Sequence, residues 1–469
     1  MRGSLIPPRY ALAIPTLLFA VCHCKQESGA SPSGVDARAG GTGSTDARVD
    51  VVVEAGAGKA GASQDAPVDH VVDSGSEPFL AWVNDPAVWS PLNLPSGVTP
   101  VCPEIAVAAS NHLFPFTALW EPCGEGCAQL RMGEDVRPTR RVDQISVGMA
   151  SRDQEAFPLA ELSDTDYEFE GPPPTFEVVR WLDLTTLEVL GANKARIEGV
   201  GCYGHAHMYE DPRITSAHVM SAGERKRVLV RLEPKSRTTT TSAPFSDTIL
   251  SQFMPTEDAG LLALPVLSAI FYDGKTILPV EDEMFGTFGS GRRDIVVWRW
   301  GSGLRGWRND GLGARNWIAG LPDSTGPLSV TQDRIVGTSR VVDGEGKTVG
   351  TRFWYTDSQS IDSAVHSGPI VVPFHVGTMQ AFGDWAAFDG GVADGVFFGL
   401  IRLSDFRVWR IRRRSSVVDY VPGTFTVDGQ HAYFPEKHYK HENRTATAIV
   451  RYDLSQIETL GEPQSVIAP

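Results

Sequence analysis

Two imidazoles stand two residues apart in His205-Ala206-His207, with the carboxylates of Glu210 and Asp211 close behind. On an extended strand residues i and i+2 project to the same side, so the two rings could share one divalent metal and take an oxygen ligand from either acid. The same pattern also arises by chance at a strand edge or in a loop, and that plainer placement is the expectation, with no bound cofactor. A second candidate is the basic run Arg407, Arg410, Arg412, Arg413 and Arg414, interleaved with Val408, Trp409 and Ile411 in a chain of net charge −15. On a strand, Arg410, Arg412 and Arg414 would share one face beside an exposed Trp409. That stripe could hold a uronic acid, a phosphate or an acidic partner. The competing reading is an outer strand whose arginines pair with nearby carboxylates.

Other chemistry is sparse. The sequence contains no Gly-x-Ser-x-Gly elbow, phosphate-binding glycine loop, dinucleotide fingerprint, His-Glu-x-x-His pair or calcium loop. Glu281-Asp282-Glu283 reads as a solvated turn rather than an acid and base pair, because adjacent strand residues face opposite ways. His366, His375, His431, His438 and His441 share no ligand spacing apart from the lysine-flanked His438 and His441. Trp298, Trp300, Trp307 and Trp317 could stack on sugar rings if exposed, but buried packing between sheets is the stronger expectation.

Six cysteines fall into two groups. Cys102, Cys123, Cys127 and Cys202 are an even set, and in an exported protein they are expected to form structural disulfides, with three connectivities open. The gap between Cys123 and Cys127, with Gly124 and Gly126 inside it, could close a small loop or hold a metal. Cys22 and Cys24 follow a segment, residues 1–24, that has Arg2 and Arg9 before an apolar run from Tyr10 to Val21. This is the pattern of an export signal and is too short to span a bilayer. It resembles the start of a bacterial lipoprotein, which implies acylation at Cys22, or alternatively Cys24, and a place in the cell envelope. Where a lipoprotein has a small residue before the cysteine, this chain has Val21 and His23. Residues 25–77 carry nine acids and four bases and no aromatic residue, so they cannot bury enough surface to offset the entropy of ordering and are expected to form a disordered tether. The acidic balance argues against a nucleic-acid partner, which would need a dense basic surface.

These groups need a scaffold, and the spacing of one residue type points to it. Arg131, Arg180, Arg231, Arg299, Arg352, Arg402 and Arg451 each follow an apolar or β-branched run and lie 49, 51, 68, 53, 50 and 49 residues apart. A period near fifty in a chain of short Val, Ile and aromatic runs broken by Gly, Asp and Pro predicts an all-β fold. It is expected to be a single β-propeller over residues 78–469, with seven blades of four antiparallel strands and a range of six to eight. The 68-residue interval reads as a loop insertion at one rim, a candidate lip over the channel, with a plain surface loop the stronger expectation. In the last blade, Asp428-Gly429 makes a turn, His431-Ala432-Tyr433-Phe434 a strand, Lys437 to Arg444 a polar loop and Ala446 to Leu454 another strand; similar Asp-Gly pairs occur at Asp343-Gly344 and Asp389-Gly390. That turn and aromatic strand resemble the repeats of TolB-like secreted bacterial propellers. Some lyases of that kind bind a metal through histidine, which gives the His205 and His207 pair a precedent.

Two functions follow as expectations. The first is an exported, membrane-tethered, non-catalytic binding or scaffold module for a protein or polysaccharide ligand, touching the membrane only through its anchor. The alternative is a metal-assisted polysaccharide lyase or hydrolase with its site at the channel mouth.

Overall fold

The computed structural model describes residues 84–460 apart from 103–104, 109–117, 133–140, 153–154, 166–175, 197–202, 205–213, 234–237, 247–249, 256–260, 266–268, 273–274, 280–289, 293–294, 301–302, 309–313, 319–325, 332, 361–362, 393–394, 412–417, 421–424 and 441–443. The leader, the tether, Cys22, Cys24, Cys202, His205, His207, Arg412 and Arg414 all lie outside the described residues.

The chain is a β-propeller. Among the described residues its strands form seven antiparallel sheets that follow one another along the sequence, most of them in simple order, with each strand bonded to the next. The fifth sheet, for example, runs Leu328–Val330, Arg334–Val342, Thr348–Asp357 and His366–Val372, and the sixth runs Val376–Phe382, Trp385–Val392, Gly395–Arg402 and Arg407–Ile411. The opening strands of the third to sixth sheets are neighbours in series. Beyond them Thr426–Val427 of the seventh sheet touches both Val376–Phe382 and Arg141–Arg152, the opening strand of the first sheet. The first strands of these sheets therefore stand side by side, and the seventh sheet meets the first.

Each sheet is buried between two others, so its strands read as continuous apolar runs instead of alternating ones. Ala386, Ala387 and Phe388 are all fully buried. Because successive side chains point to opposite faces, Ala386, Phe388 and Ile401 pack toward the fifth sheet, whereas Ala387, Phe398 and Leu400 pack toward the seventh. Trp298, Trp307 and Trp317 are 1%, 6% and 0% exposed, so these indoles fill the space between sheets.

The seventh sheet closes the ring with strands from far away in sequence. Its order is Val418–Tyr420, His431–Lys440, Arg444–Asp453, then Cys127–Met132 and Ala118–Gly124. The hairpin of residues 118–132 thus supplies the two outermost strands. Leu130, 0% exposed, joins Tyr433 and Ile449 in a cluster with Val147, Leu162 and Val178 of the first sheet. A separate arm adds to the first two sheets: Ala106–Ala108 pairs with Val189–Arg196, the last strand of the first, and Val98–Pro100 pairs with Ile214–Ser221 of the second, on the same edge as Tyr203–Gly204.

The arginine period marks sheets imperfectly. Arg180, Arg231, Arg352, Arg402 and Arg451 lie on third strands, but Arg131 belongs to the seventh sheet beside Arg451, and Arg299 lies on the second strand of its sheet. The third sheet has none of the seven. Its four short strands, Leu250–Pro255, Leu261–Pro265, Ala269–Tyr272 and Lys275–Pro279, occupy the 68-residue interval, which is therefore a sheet and not a rim insertion. Two local readings are also corrected. Asp389-Gly390 sits inside the strand Trp385–Val392, and Lys437 to Lys440 continues the strand that begins at His431, because Lys437 and His438 pair with Thr447 and Ala446.

A backbone bond shared by four sheets repeats more faithfully than the arginines. The residue after the third strand donates its N–H to a carbonyl at the start of the second: Leu184 to Pro158 at 3.0 Å, Ser358 to Asp333 at 3.0 Å, Leu403 to Asp384 at 2.8 Å and Leu454 to Gln430 at 2.8 Å. In three of them an aspartate precedes the donor and caps the turn, with Asp183 accepting from Thr185 N at 2.9 Å, Asp357 from Gln359 N at 2.6 Å and Asp453 from Ser455 N at 2.8 Å. The sixth sheet has Arg402 at that position.

Candidate functional site

A cleft of about 500 Å³ opens on the rim where these locked turns lie, lined by Trp385, Gly429, Gln430, His431, Asp453, Leu454 and Ser455. Such a volume suits a small organic ligand. Three local structures build it: the turn that starts the strand His431–Lys440, the turn that ends Arg444–Asp453, and the first residue of Trp385–Val392 in the sixth sheet.

Asp428 fixes the first turn. Its Oδ1 accepts the N–H groups of Gln430 at 2.9 Å and His431 at 2.7 Å, and its Oδ2 accepts the Tyr433 hydroxyl at 2.9 Å. Gly429 takes φ +87°, a left-handed conformation that suits glycine, and a Cβ there would press on Phe382 at 3.2 Å. Burial would raise the Asp428 carboxyl, but the nearby His431 side chain and the bonds from the His431 backbone, Gln430 and Tyr433 outweigh that and hold it below the usual carboxylate range. The Tyr433 hydroxyl is pushed far up, first by burial and then by the adjacent Asp428 charge. His431 is thereby oriented, with Nδ1 3.6 Å from Asp428 Oδ2 and its ring on the cleft wall.

Asp453 forms the adjoining wall. Its Oδ1 accepts both Ser455 N–H at 2.8 Å and Ser455 Oγ at 2.6 Å, and its Oδ2 accepts Gln456 Nε2 at 3.2 Å. The Ser455 side-chain bond is the main reason its carboxyl is held low, against a smaller opposing effect of burial, and the nearby His431 charge acts the same way. The cleft thus sets an imidazole and an exposed Gln430 amide beside an ionised carboxylate and a hydroxyl, with His431 and Asp453 as cross-strand partners. At 3.6 Å the His431 ring is beside the Asp428 carboxylate but beyond hydrogen-bond reach, unlike the bonded pair of a catalytic triad. The only hydroxyl side chain lining the cleft, Ser455, donates to Asp453 and not to His431.

Behind the cleft, Trp385 packs against Trp409 with ring centres 5.6 Å apart. Arg402 lies over both indoles, 5.8 Å from Trp385 and 5.3 Å from Trp409, and Arg407 lies 5.2 Å from Trp409. Arg402 donates to both oxygens of Asp405 at 3.0 and 2.5 Å, which keeps that carboxyl below its usual range, and Arg407 forks onto Glu458 at 3.0 and 3.1 Å. Along the same rim Arg308 reaches the Ser358 carbonyl at 2.9 Å and Arg334 pairs with Asp384 at 2.9 Å. Arg308, Arg334 and Arg407 each reach from their own sheet to the next, whereas Arg402 pairs with Asp405 inside the turn of its own sheet.

The residues singled out from sequence fare unevenly. Trp409 is 1% exposed and faces the seventh sheet with Ile411, so it is a packing side chain and not an exposed platform; a strand flanked on both sides by sheets leaves its indole no route to solvent. Arg410 is exposed on the same strand, opposite Gly399. Arg412 and Arg414, with His205 and His207, lie outside the described residues, among which no three side chains converge as a metal site. Cys123 and Cys127 form a disulfide across the tip of the 118–132 hairpin, and Cys102 is also disulfide-bonded. The cleft residues Trp385, Gln430, Asp453 and Ser455 carried no signal of their own in the sequence. His431 stood there as one of several scattered histidines, although the Asp428-Gly429 turn beside it was visible.

No family model and no curated protein matches the chain. Solved structures similar to it include the β-propeller domain of the Trilobed protease from Pyrococcus furiosus, at 10% identity and TM-score 0.44 over 68% of this chain and 98% of that one. An oligogalacturonate lyase in complex with manganese matches at 13% identity and TM-score 0.43, over 74% and 98%. Kluyveromyces lactis Hsv2 matches at 8% identity and TM-score 0.39, over 65% and 99%. Enzymes and a protein not named as one stand side by side at this level of similarity, and none of them bears on what this chain does.

Proposed function

We propose that this protein is an exported, envelope-tethered, non-catalytic propeller that captures its ligand in the rim cleft between the sixth and seventh sheets. The observation that carries this reading is the commitment of the acids around the cleft. Asp428 and Asp453 are consumed in fixing turns, both carboxyls are held below their usual range, and Ser455 donates its hydroxyl to Asp453 and not to His431. What remains for a ligand is recognition chemistry: the Gln430 amide, the His431 ring and the outer lone pairs of Asp453 and Ser455. A leader in residues 1–24 and a tether in residues 25–77 fit a module that must reach a partner, since a flexible arm raises its local concentration.

Calorimetric titration of the full chain with a panel of neutral oligosaccharides, uronic-acid oligosaccharides and short peptides tests this. The expected result is a ligand that binds the wild type, is recovered unchanged, and loses tenfold or more in affinity to His431→Ala. A ligand recovered cleaved, together with a stoichiometric metal that disappears in His205→Ala/His207→Ala, would replace this reading with the lyase or hydrolase.

A further inference from the structure

The hairpin that closes the ring also touches the cleft. Cys127 pairs in register with Tyr452, and the next carbonyl back, Gly126 O, accepts the N–H of Asp453 at 2.8 Å. Asp453 is the cleft wall, and Leu454 and Ser455 follow it. Cys123 and Cys127 are joined across the three-residue tip Gly124-Glu125-Gly126, where Gly124 and Gly126 both take positive φ, and both half-buried sulfurs pack against the cluster that includes Tyr452 and Leu454. A tip with two glycines would sample many conformations if its ends were free; the disulfide holds it in the one that presents the Gly126 carbonyl to Asp453.

We infer that Cys123–Cys127 is a thiol-exchange site that clasps the cleft wall, addressed by a dithiol reductant. The reductant's thiolate attacks one sulfur, the S–S bond breaks with the other cysteine leaving as thiolate, and the reductant's second thiol resolves the mixed disulfide. The two cysteines gain two electrons and two protons, and the dithiol becomes a disulfide. The freed tip then releases Asp453 N–H, and the wall between Asp453 and Ser455 loosens. An influence of the clasp on ligand capture rests on the cleft being the binding site; the clasp itself does not, and it can be read without any ligand.

Amide hydrogen exchange on the full chain, oxidised and as Cys123→Ser/Cys127→Ser, reads it directly while leaving the disulfide of Cys102 intact. Exchange at Asp453 N–H is expected to rise at least tenfold, with Leu184 N–H, which makes the shared backbone lock of the first sheet far from the hairpin, unchanged. Equal exchange at Asp453 in both proteins overturns the clasp, and so does parallel acceleration at Leu184, which would mean general loosening. If the variant does not fold, stepwise reduction of the wild type with dithiothreitol supplies the same comparison in the species that has lost only Cys123–Cys127. The same two outcomes then decide.

Discussion

Asp428 concentrates much of the local chemistry of the rim in one carboxylate. It accepts two backbone N–H groups and a phenol hydroxyl, and it orients the imidazole that lines the cleft. Hydrogen bonds to a charged acceptor contribute about 1.5–3 kcal/mol, so Asp428→Asn is expected to destabilise the protein by about that much at pH 7, measured by denaturant unfolding. The pH dependence has a definite sign. Because the folded carboxyl sits below its ordinary value of 3.8, its stabilisation is fully present above that value and is lost as pH falls through the lower folded one. A Tm profile across that acid range should fall less steeply in Asp428→Asn than in the wild type; parallel profiles would contradict the assignment. At this scale the sequence was partly legible. The Asp-Gly pair announced a turn at 428–429, because only a few residue types tolerate φ +87°. The fate of Trp409 was not legible, since its burial depends on the seventh sheet lying against it and an alternating Arg pattern cannot reveal a neighbour on both faces.

Strands and turns are joined to adjacent sheets by side chains that reach across. Phe406, at φ +55° in the turn after Gly395–Arg402, leans back onto the fifth sheet, where its ring stacks near Tyr355 at 5.9 Å and Tyr355 in turn stacks on His366 at 4.9 Å. A left-handed conformation at so bulky a residue costs about 1–3 kcal/mol and persists only where packing over-determines it. Gly368 provides the room, because a Cβ there would fall 2.4 Å from the Phe406 ring. Gly368→Ala should therefore destabilise by about 1–3 kcal/mol through overpacking, and chemical denaturation of the variant measures it. A cost below a few tenths of a kcal/mol would show that Phe406 moves aside freely. The sequence revealed that such elements exist but not their phase. Measured from the aspartate of the shared turn, Arg180 stands three residues before Asp183, Arg352 five before Asp357 and Arg451 two before Asp453, so Arg451 falls on the opposite face from the other two. The lock that does repeat is made of backbone atoms and left only the short trace Asp183-Leu184-Thr185, Asp357-Ser358-Gln359 and Asp453-Leu454-Ser455. The third sheet was hidden for a related reason: its strands are four to six residues long and carry no arginine, so the interval reads as an insertion at the rim.

On the scale of the whole molecule, the ring depends on residues 118–132 finding Arg444–Asp453 across more than three hundred residues of chain. Period and composition gave the propeller, because each sheet needs two apolar faces, but no local pattern could say which strand completes the last sheet. Closure makes the ends cooperative: Leu130 is fully buried between the seventh and first sheets, and Leu130→Ala should cost about 2–5 kcal/mol and lower the midpoint of the main unfolding transition, not split off a minor one. In the function proposed above, ligand capture is a property of the same closed ring, since the cleft takes its lining from the sixth and seventh sheets and the closing hairpin bonds to Asp453. Selective NMR of labelled histidine side chains, assigned by single His→Gln variants and followed while the full chain is titrated with the oligosaccharide and peptide panel, tests that account most directly. A bound ligand that shifts the His431 resonances and is recovered unaltered is the predicted result. A ligand that leaves His431 unmoved while shifting His205 or His207, or that is consumed during the titration, would contradict it.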